Sequence, residues 1–289
     1  MNEPEKIKVV FVVLHYMAQT DTEECISSIT EKIDDQKYRI IIVDNDSPDD
    51  SGKKLKQKYE FNTQIIILKN YSNLGFANGN NVGFQYAKNI FNPDYIVLCN
   101  NDILLVQTDF LKKIEAEYRC SNFAVLGPMI LTKDGRYTSS PSRVEELSKK
   151  EVKELLSDYI RCYYANKVRM LYPYYLIRKL FFKKKKPNQH SSLKKQYNVS
   201  IHGCFMVFSR EYISKFDGLN SKTFMYGEEE ILFKTILMHK LKSVYTPDIF
   251  IYHKEDASTN LLHVKKQKKS DFYYKNLINS TKVLLELYQ

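Results

Sequence analysis

Three polar clusters in this sequence combine residue types that bind cations, phosphates and hydroxyl groups. Asn100-Asn101-Asp102 sets one carboxylate beside two amides, an oxygen donor set that suits a hard divalent cation such as magnesium or manganese. Such a cation bridges two phosphates and offsets charge on a leaving diphosphate. The competing reading is a turn with Asp102 solvated. Asp44-Asn45-Asp46-Ser47 offers carboxylates that can accept hydrogen bonds from a base edge or ribose hydroxyls; an Asx turn leading into a helix explains the same residues. Residues 73–81 hold two glycines (Gly75, Gly79) and four asparagines (Asn73, Asn78, Asn80, Asn81). Glycine permits close backbone approach to a ligand and helix-start amides favour anions, although a capped loop would look alike. The segment has neither Walker nor GxGxxG spacing.

Further along, Glu228-Glu229-Glu230 precedes an apolar helix. Acids in a first turn complement the helix dipole. A carboxylate there could equally take the proton from an attacking hydroxyl. His253 follows an extended run, and His202 precedes Gly203-Cys204-Phe205-Met206. Each could ligate a metal or contact phosphate, or serve as an ordinary hydrogen-bonded residue.

The elements that must position these clusters follow from periodicity. β-branched runs at 8–14, 39–43, 64–68, 95–99 and 123–126 read as strands. They alternate with helical patterns at 20–33, 51–59, 77–90 and 109–118, with Thr20 and Glu23 placed to cap the first helix. This alternation predicts an α/β fold, a Rossmann-like mostly parallel sheet with helices on both faces. Ligands then sit beyond the carboxyl ends of the strands, and Asp44, residues 70–81 and Asn100-Asn101-Asp102 all fall on that rim. Later segments read as helical (144–175), strand (198–208), helical (231–238), extended (243–252) and helical (271–288).

Composition narrows the class. With 289 residues, 43% hydrophobic and 27% charged, the chain can bury a core without disulfides. Five widely spaced cysteines with no CxxC pair argue against structural zinc and for reduced thiols in a cytosolic protein. No apolar run is long enough for a spanning helix, and the first apolar run reads as a buried strand rather than a signal peptide. The net charge of +10 is concentrated: residues 145–197 carry 14 Lys or Arg against 5 Asp or Glu. The remainder is near neutral, so the main fold is not expected to bind nucleic acid.

In this order, the segments resemble glycosyltransferase family 2, of GT-A fold, over about residues 1–130 and 197–258. The resemblance rests on Val43-Asp44-Asn45-Asp46-Ser47, Asn73-Leu74-Gly75-Phe76-Ala77 with Asn80-Asn81, Asn100-Asn101-Asp102, His202-Gly203-Cys204-Phe205-Met206, Phe216-Asp217-Gly218-Leu219, Tyr226-Gly227-Glu228-Glu229-Glu230 and His253. It is nearest to the rhamnosyltransferase-like bacterial branch. The resemblance implies that Asp44 contacts the nucleotide base near Tyr16, and that Asn73, Asn80 and Asn81 line the donor pocket. With Asp46, Gly75 and Asn101 these form the expected donor-binding set. Asp102 would be the metal carboxylate and His253 a further metal or diphosphate contact. Glu229 matches the catalytic base of an inverting enzyme, with Glu228 as its neighbouring alternative. Two departures stand out: the base is usually Asp, and the metal motif here begins with Asn100.

The expected organisation is a transferase domain at 1–260, interrupted by a basic helical insertion at about 144–197, and a C-terminal helical extension at 261–289. Residues 178–186 interleave Leu180, Phe181 and Phe182 with six cations. Such a segment suits an anionic membrane surface, or else a solvated loop. The resemblance then implies transfer from a nucleoside-diphosphate sugar, dTDP-rhamnose or a UDP-hexose, to a lipid-linked glycan precursor. The site of that chemistry would be the inner face of a bacterial cell membrane. The rivals are a non-catalytic binding protein on the same scaffold and a nucleotidyltransferase. The latter would carry a basic, glycine-rich loop after the first strand, where this chain has His15-Tyr16-Met17.

Overall fold

The computed structural model describes residues 6–33, 36–132, 140–174, 193–254 and 266–288. Four strands, β1 (Val9–His15), β2 (Tyr38–Asp44), β3 (Ile65–Lys69) and β4 (Tyr95–Asn100), form a parallel run in the order β3-β2-β1-β4. Register aligns their carboxyl ends. His15 stands opposite Asp44, and Leu14 opposite Asn100, so the predicted clusters share one rim.

The other half of the sheet is mixed. β8 (Phe205–Ser209) lies antiparallel to β4 and to β6 (Val125–Thr132). β6 runs parallel to β9 (Ser243–His253), with a register shift after Pro128. The two ends of β9 take antiparallel partners, β7 (Gln196–Tyr197) at its start and β5 (Ile103–Leu105) at its finish. Of the strand expected at 198–208 only the end is strand, in β8 (Phe205–Ser209), with β7 lying just before the expected start, whereas the one expected at 123–126 extends to Thr132.

Alternation of side chains divides the core between the two faces of the sheet. Val9, Phe11 and Val13 pack with α1 (Gln19–Lys32) and α4 (Phe110–Ser121). Val10 and Val12 pack with α3 (Gly75–Tyr86) and α7 (Glu228–Met238). In α1 the buried residues Thr22, Cys25, Ile26 and Ile29 follow helical spacing. Its N-cap is Ala18 in a left-handed conformation without a side-chain cap, so the expected cap by Thr20 and Glu23 does not form: the helix already begins at Gln19. α2 (Ser51–Lys58) follows β2, a π-helical turn (Ala87–Phe91) extends α3, and a four-residue α6 (Arg210–Ile213) follows β8.

α5 (Lys149–Lys167) opens with a reciprocal capping box between Ser148 and Glu151. It packs along α8 (Lys266–Glu286) through Cys162, Tyr274 and Leu277, and Val152 meets Ile231, Val283 and Leu284 where α7 joins them. α5 and α8 thus form one helical layer beside the acid-bearing start of α7. The basic residues 178–186 lie outside the described residues. Among the described residues, no helix is long and apolar enough to cross a membrane.

Candidate functional site

The rim at β1 and β2 is built around two buried polar residues. Asp44 is buried and accepts the Ser47 N–H at 3.0 Å. It lies directly over α2: a Cβ added to Gly52 would fall 1.9 Å from Asp44 Oδ2. Ser47 in turn accepts the Met17 N–H at 2.9 Å, which ties the loop that carries Tyr16 to the turn after Asp44. His15 is fully buried, with Nε2 2.8 Å from Ser51 Oγ and Nδ1 2.7 Å from Thr22 Oγ1. Burial pushes its imidazole below the ordinary histidine range, against the opposing pull of Asp44 and Asp49.

These contacts assign the proton on His15. Ser51 Oγ donates to Asp49 Oδ1 at 2.5 Å, so it must accept from His15 Nε2–H. Nδ1 of the neutral ring then accepts from Thr22 Oγ1, which itself accepts from Asn101 Nδ2 at 3.0 Å. A chain of four hydrogen bonds in one direction therefore runs from Asn101 through Thr22, His15 and Ser51 to Asp49. It joins the β4 rim to the β2 rim.

Asn45 is a second hub. Its Oδ1 accepts from Asn70 Nδ2 and the Leu74 N–H, and its Nδ2 donates to Asn73 Oδ1 and the Gly75 carbonyl, at 3.0–3.1 Å. Asn73 Oδ1 also accepts the Gly75 N–H, so Asn73 shapes the turn into α3. Gly75 has φ +78° and a Cβ there would lie 2.2 Å from the Phe224 carbonyl, so the position requires glycine. Asn80 is buried, with Oδ1 unpartnered. Asn81, expected in the donor pocket, instead holds both the N–H and the carbonyl of Leu219; its amide pins the 218–219 turn to α3. Asp46 is exposed, in a left-handed conformation at φ 65°.

Across the rim, Asp102 Oδ1 lies 3.2 Å from His253 Nε2. The β5–β9 register fixes the approach, with Ile103 opposite His253 and the Lys254 N–H donating to the Asp102 carbonyl. Lys254 Nζ, bonded to Asp21 and Glu24 of α1, anchors the strand end. Asp102 Oδ1 and His253 Nδ1 are buried without a hydrogen-bond partner. Two ligating atoms this close, with no hydrogen bond to Asp102 Oδ1 beyond that approach, fit shared ligation of a divalent cation. No cluster of three or more protein donors exists among the described residues, so further ligands would come from phosphate and water, as is usual for magnesium.

The acids at the start of α7 point in three directions, as successive helix positions must. Glu229 Oε1 accepts the Gly203 N–H at 3.1 Å, and a Cβ on Gly203 would come within 2.7 Å of it. Burial raises the Glu229 carboxyl above its ordinary range. Glu228 is buried, with Oε1 unpartnered, and burial together with the charge of Glu229 pushes it up to about 7. Glu230 is raised by burial and then by Glu229, while Arg143 draws it down. The 202–203 dipeptide links the acids to the cation pair: Gly203 holds Glu229, and the His202 ring lies 6.4 Å from the His253 ring.

The structure thus gathers Tyr16, Asp44, Asn101, Asp102, His253 and Glu229 along one rim and its facing loop. Asn73 and Asn81 are engaged in shaping that rim. Sequence reasoning passed over His15, Thr22, Ser51 and Asn45 as binding or positioning groups. The signal for His15 was a histidine inside an otherwise β-branched strand.

Residues 10–216 match the sequence profile of glycosyl transferase family 2, and the chain belongs to that family. A hexosyltransferase of low-salt glycan biosynthesis, Agl10 from Haloferax volcanii, is 22% identical over 124 residues, which is 43% of this chain and 37% of that protein. The chain thus spans well under half the length of this relative. TarS (1–349) from S. aureus, solved with UDP-GlcNAc, superposes with a TM-score of 0.56 at 12% identity, covering 94% of this chain and 65% of that one. The mannosyltransferase PcManGT from Pyrobaculum calidifontis, solved with GDP-Man and Mn2+, gives 0.54 at 12% identity, covering 99% and 76%. The fold is GT-A, as the resemblance implied.

Proposed function

We propose that this chain is an inverting glycosyltransferase that moves a sugar from a nucleoside-diphosphate sugar to a hydroxyl acceptor. The observation that carries this reading is the 202–203 bridge, which sets a buried carboxylate with a raised pKa, Glu229, beside the Asp102–His253 pair. Similar folds bind UDP- and GDP-sugars, and Asp44, tied through Ser47 to the loop that carries Tyr16, offers a base-edge acceptor on the same rim.

In this reading Asp44 orients the nucleotide and the 73–75 turn borders the diphosphate. Asp102 and His253 would hold a divalent cation, which would offset charge on the leaving diphosphate. Glu229, held by Gly203, takes the proton from the acceptor hydroxyl as it attacks the anomeric carbon. A carboxylate raised by burial is a stronger base than a solvated one. Glu228, which has no such backbone N–H to aim it, is the weaker candidate.

The finer reading is a dTDP-rhamnose or UDP-hexose donor and a lipid-linked acceptor at an anionic membrane. Tyr164, Val168, Met170 and Tyr172 are 53–72% exposed where α5 leads toward the basic segment, which supports that end as the membrane side.

The test is release of nucleoside diphosphate from UDP-, dTDP- and GDP-sugars with Mn2+ or Mg2+, alongside thermal shifts with the same ligands. Turnover lost in Glu229→Gln with donor-induced stabilisation retained supports the reading. No binding and no turnover across the panel would leave a non-catalytic scaffold.

A further inference from the structure

The segment from Phe224 to Glu230 crosses the site from donor loop to base. At its start the Phe224 carbonyl accepts the Phe76 N–H at 2.6 Å and lies over Gly75. At its end Glu229 sits on Gly203. Between them Tyr226 takes φ 70°, a left-handed conformation costly for a bulky residue, followed by Gly227 at φ 86°. Two rings of this segment meet two rings of α8. Phe224 meets Phe272 edge-on at 6.0 Å, and Tyr226 meets Tyr273 edge-on at 4.9 Å. Phe272 is 43% exposed and Tyr273 41% exposed, so packing does not consume their surfaces. The acids follow this row directly along the chain, in the first turn of α7.

Aromatic faces beside carboxylates match one ligand chemistry. A pyranose ring offers an apolar face of C–H groups and a rim of hydroxyl donors. The face packs on tyrosine or phenylalanine, and the hydroxyls require acceptors. The buried Glu228 Oε1, without a hydrogen-bond partner, is an acceptor of that kind. The location also fits, because Phe224 touches the donor loop at Gly75 and Phe76, and Glu229 follows Tyr226 by three residues along the chain.

We propose that Phe224, Tyr226, Phe272 and Tyr273 form the subsite for the acceptor's terminal pyranose ring. The C-terminal helix α8 thereby supplies half of that subsite. This inference rests on the transferase reading for its role, but not for its binding. Phe272 and Tyr273 lie beyond both the stretch 10–216 that matches the family and the segments that carry the resemblance, so α8's half of the wall comes from outside them.

The chain has no tryptophan, which allows a direct test. Tyr273→Trp places a single indole in the wall, and its emission is titrated with methyl α- and β-hexopyranosides. A saturable shift with at least one of them, weakened tenfold or more by adding Tyr226→Asn, is the expected result. Asparagine tolerates the left-handed backbone while deleting the ring. The unmodified protein gives a second readout: saturation-transfer NMR from tyrosine ring protons should label one face of the bound pyranose. Emission insensitive to every methyl hexoside, or a shift unchanged by Tyr226→Asn, overturns the subsite, as does NMR labelling spread evenly around the sugar. Nucleotide-sugar hydrolysis by the unmodified protein is measured separately. Sugar binding without hydrolysis would uphold the subsite and sink the transferase reading. Hydrolysis without sugar binding would do the reverse.

Discussion

Gly203 and Glu229 are in close contact: the Gly203 N–H donates to Glu229 Oε1 at 3.1 Å, and a Cβ would approach that oxygen to 2.7 Å, so any larger residue must turn the carboxylate aside. The backbone of one segment thereby fixes the direction of a carboxylate on another. Gly203→Ala should displace the carboxylate by a fraction of an ångström. Misplacements of about 1 Å can cost roughly a hundredfold in rate, so kcat should fall about tenfold or more with donor affinity little changed. Steady-state kinetics with donor binding by calorimetry check this; an unchanged kcat would remove Glu229 from the chemistry.

Gly52 plays the corresponding part under Asp44. A Cβ at Gly52 would sit 1.9 Å from Asp44 Oδ2 and 2.3 Å from its Cγ, so Gly52→Ala must push the side chain off its perch. Overpacking of this kind costs roughly 1–3 kcal/mol. The donor KM should rise about tenfold while kcat changes less. A wild-type KM in a well-folded Gly52→Ala protein would argue against base contact by Asp44.

Glu228 predicts a pH signature. Its carboxyl is pushed from the ordinary 4.5 up to about 7, so in that window the folded chain holds a proton that the unfolded chain has lost. Stability from this group is full below about pH 4.5 and declines as pH rises toward 7. The decline is at most about 3 kcal/mol, at about 1.4 kcal/mol per pKa unit. Glu228→Gln should flatten it. Urea midpoints at pH 5 and pH 8 for both proteins give the answer.

His15 predicts the opposite slope. Burial holds its imidazole below the ordinary 6.5, so unfolding takes up a proton just below that value. Its contribution is complete above pH 6.5 and is lost as pH falls through the folded value. His15→Asn should lessen the acid-side loss. It should also weaken the link between Asn101 and Asp49, seen as a smaller Mn2+-induced thermal shift. A shift equal to that of the unmodified protein would show that the chain of hydrogen bonds does not position the cation loop.

What the sequence revealed depended on how local the determinants were. Asp44 and Asp102 were legible because each follows a β-branched strand, and strand ends gather at one rim. Glu229 and His253 were legible only by resemblance, because nothing in a run of three acids or a single histidine fixes where either side chain points. The role of His15 was hidden, because its partners, Thr22 and Ser51, lie 7 and 36 residues away. β5 was hidden for another reason: three residues carry no periodicity, and it exists because β9 offers it an edge. Asn81 looked like a pocket residue because asparagine suits both a ligand and a turn, and the Leu219 backbone that claims it arrives 138 residues later.

The pairing of β5 with β9 has a consequence for how the protein is made. Asp102 and His253 are brought together by strands separated by roughly 150 residues of sequence. At ribosomal speeds of about 5–20 residues per second, the carboxylate emerges on the order of ten seconds before its histidine. The parallel run β3-β2-β1-β4 and the Asp44 rim it carries can assemble during that interval. The nascent chain would then present one half of the rim before Asp102 meets His253 in the other.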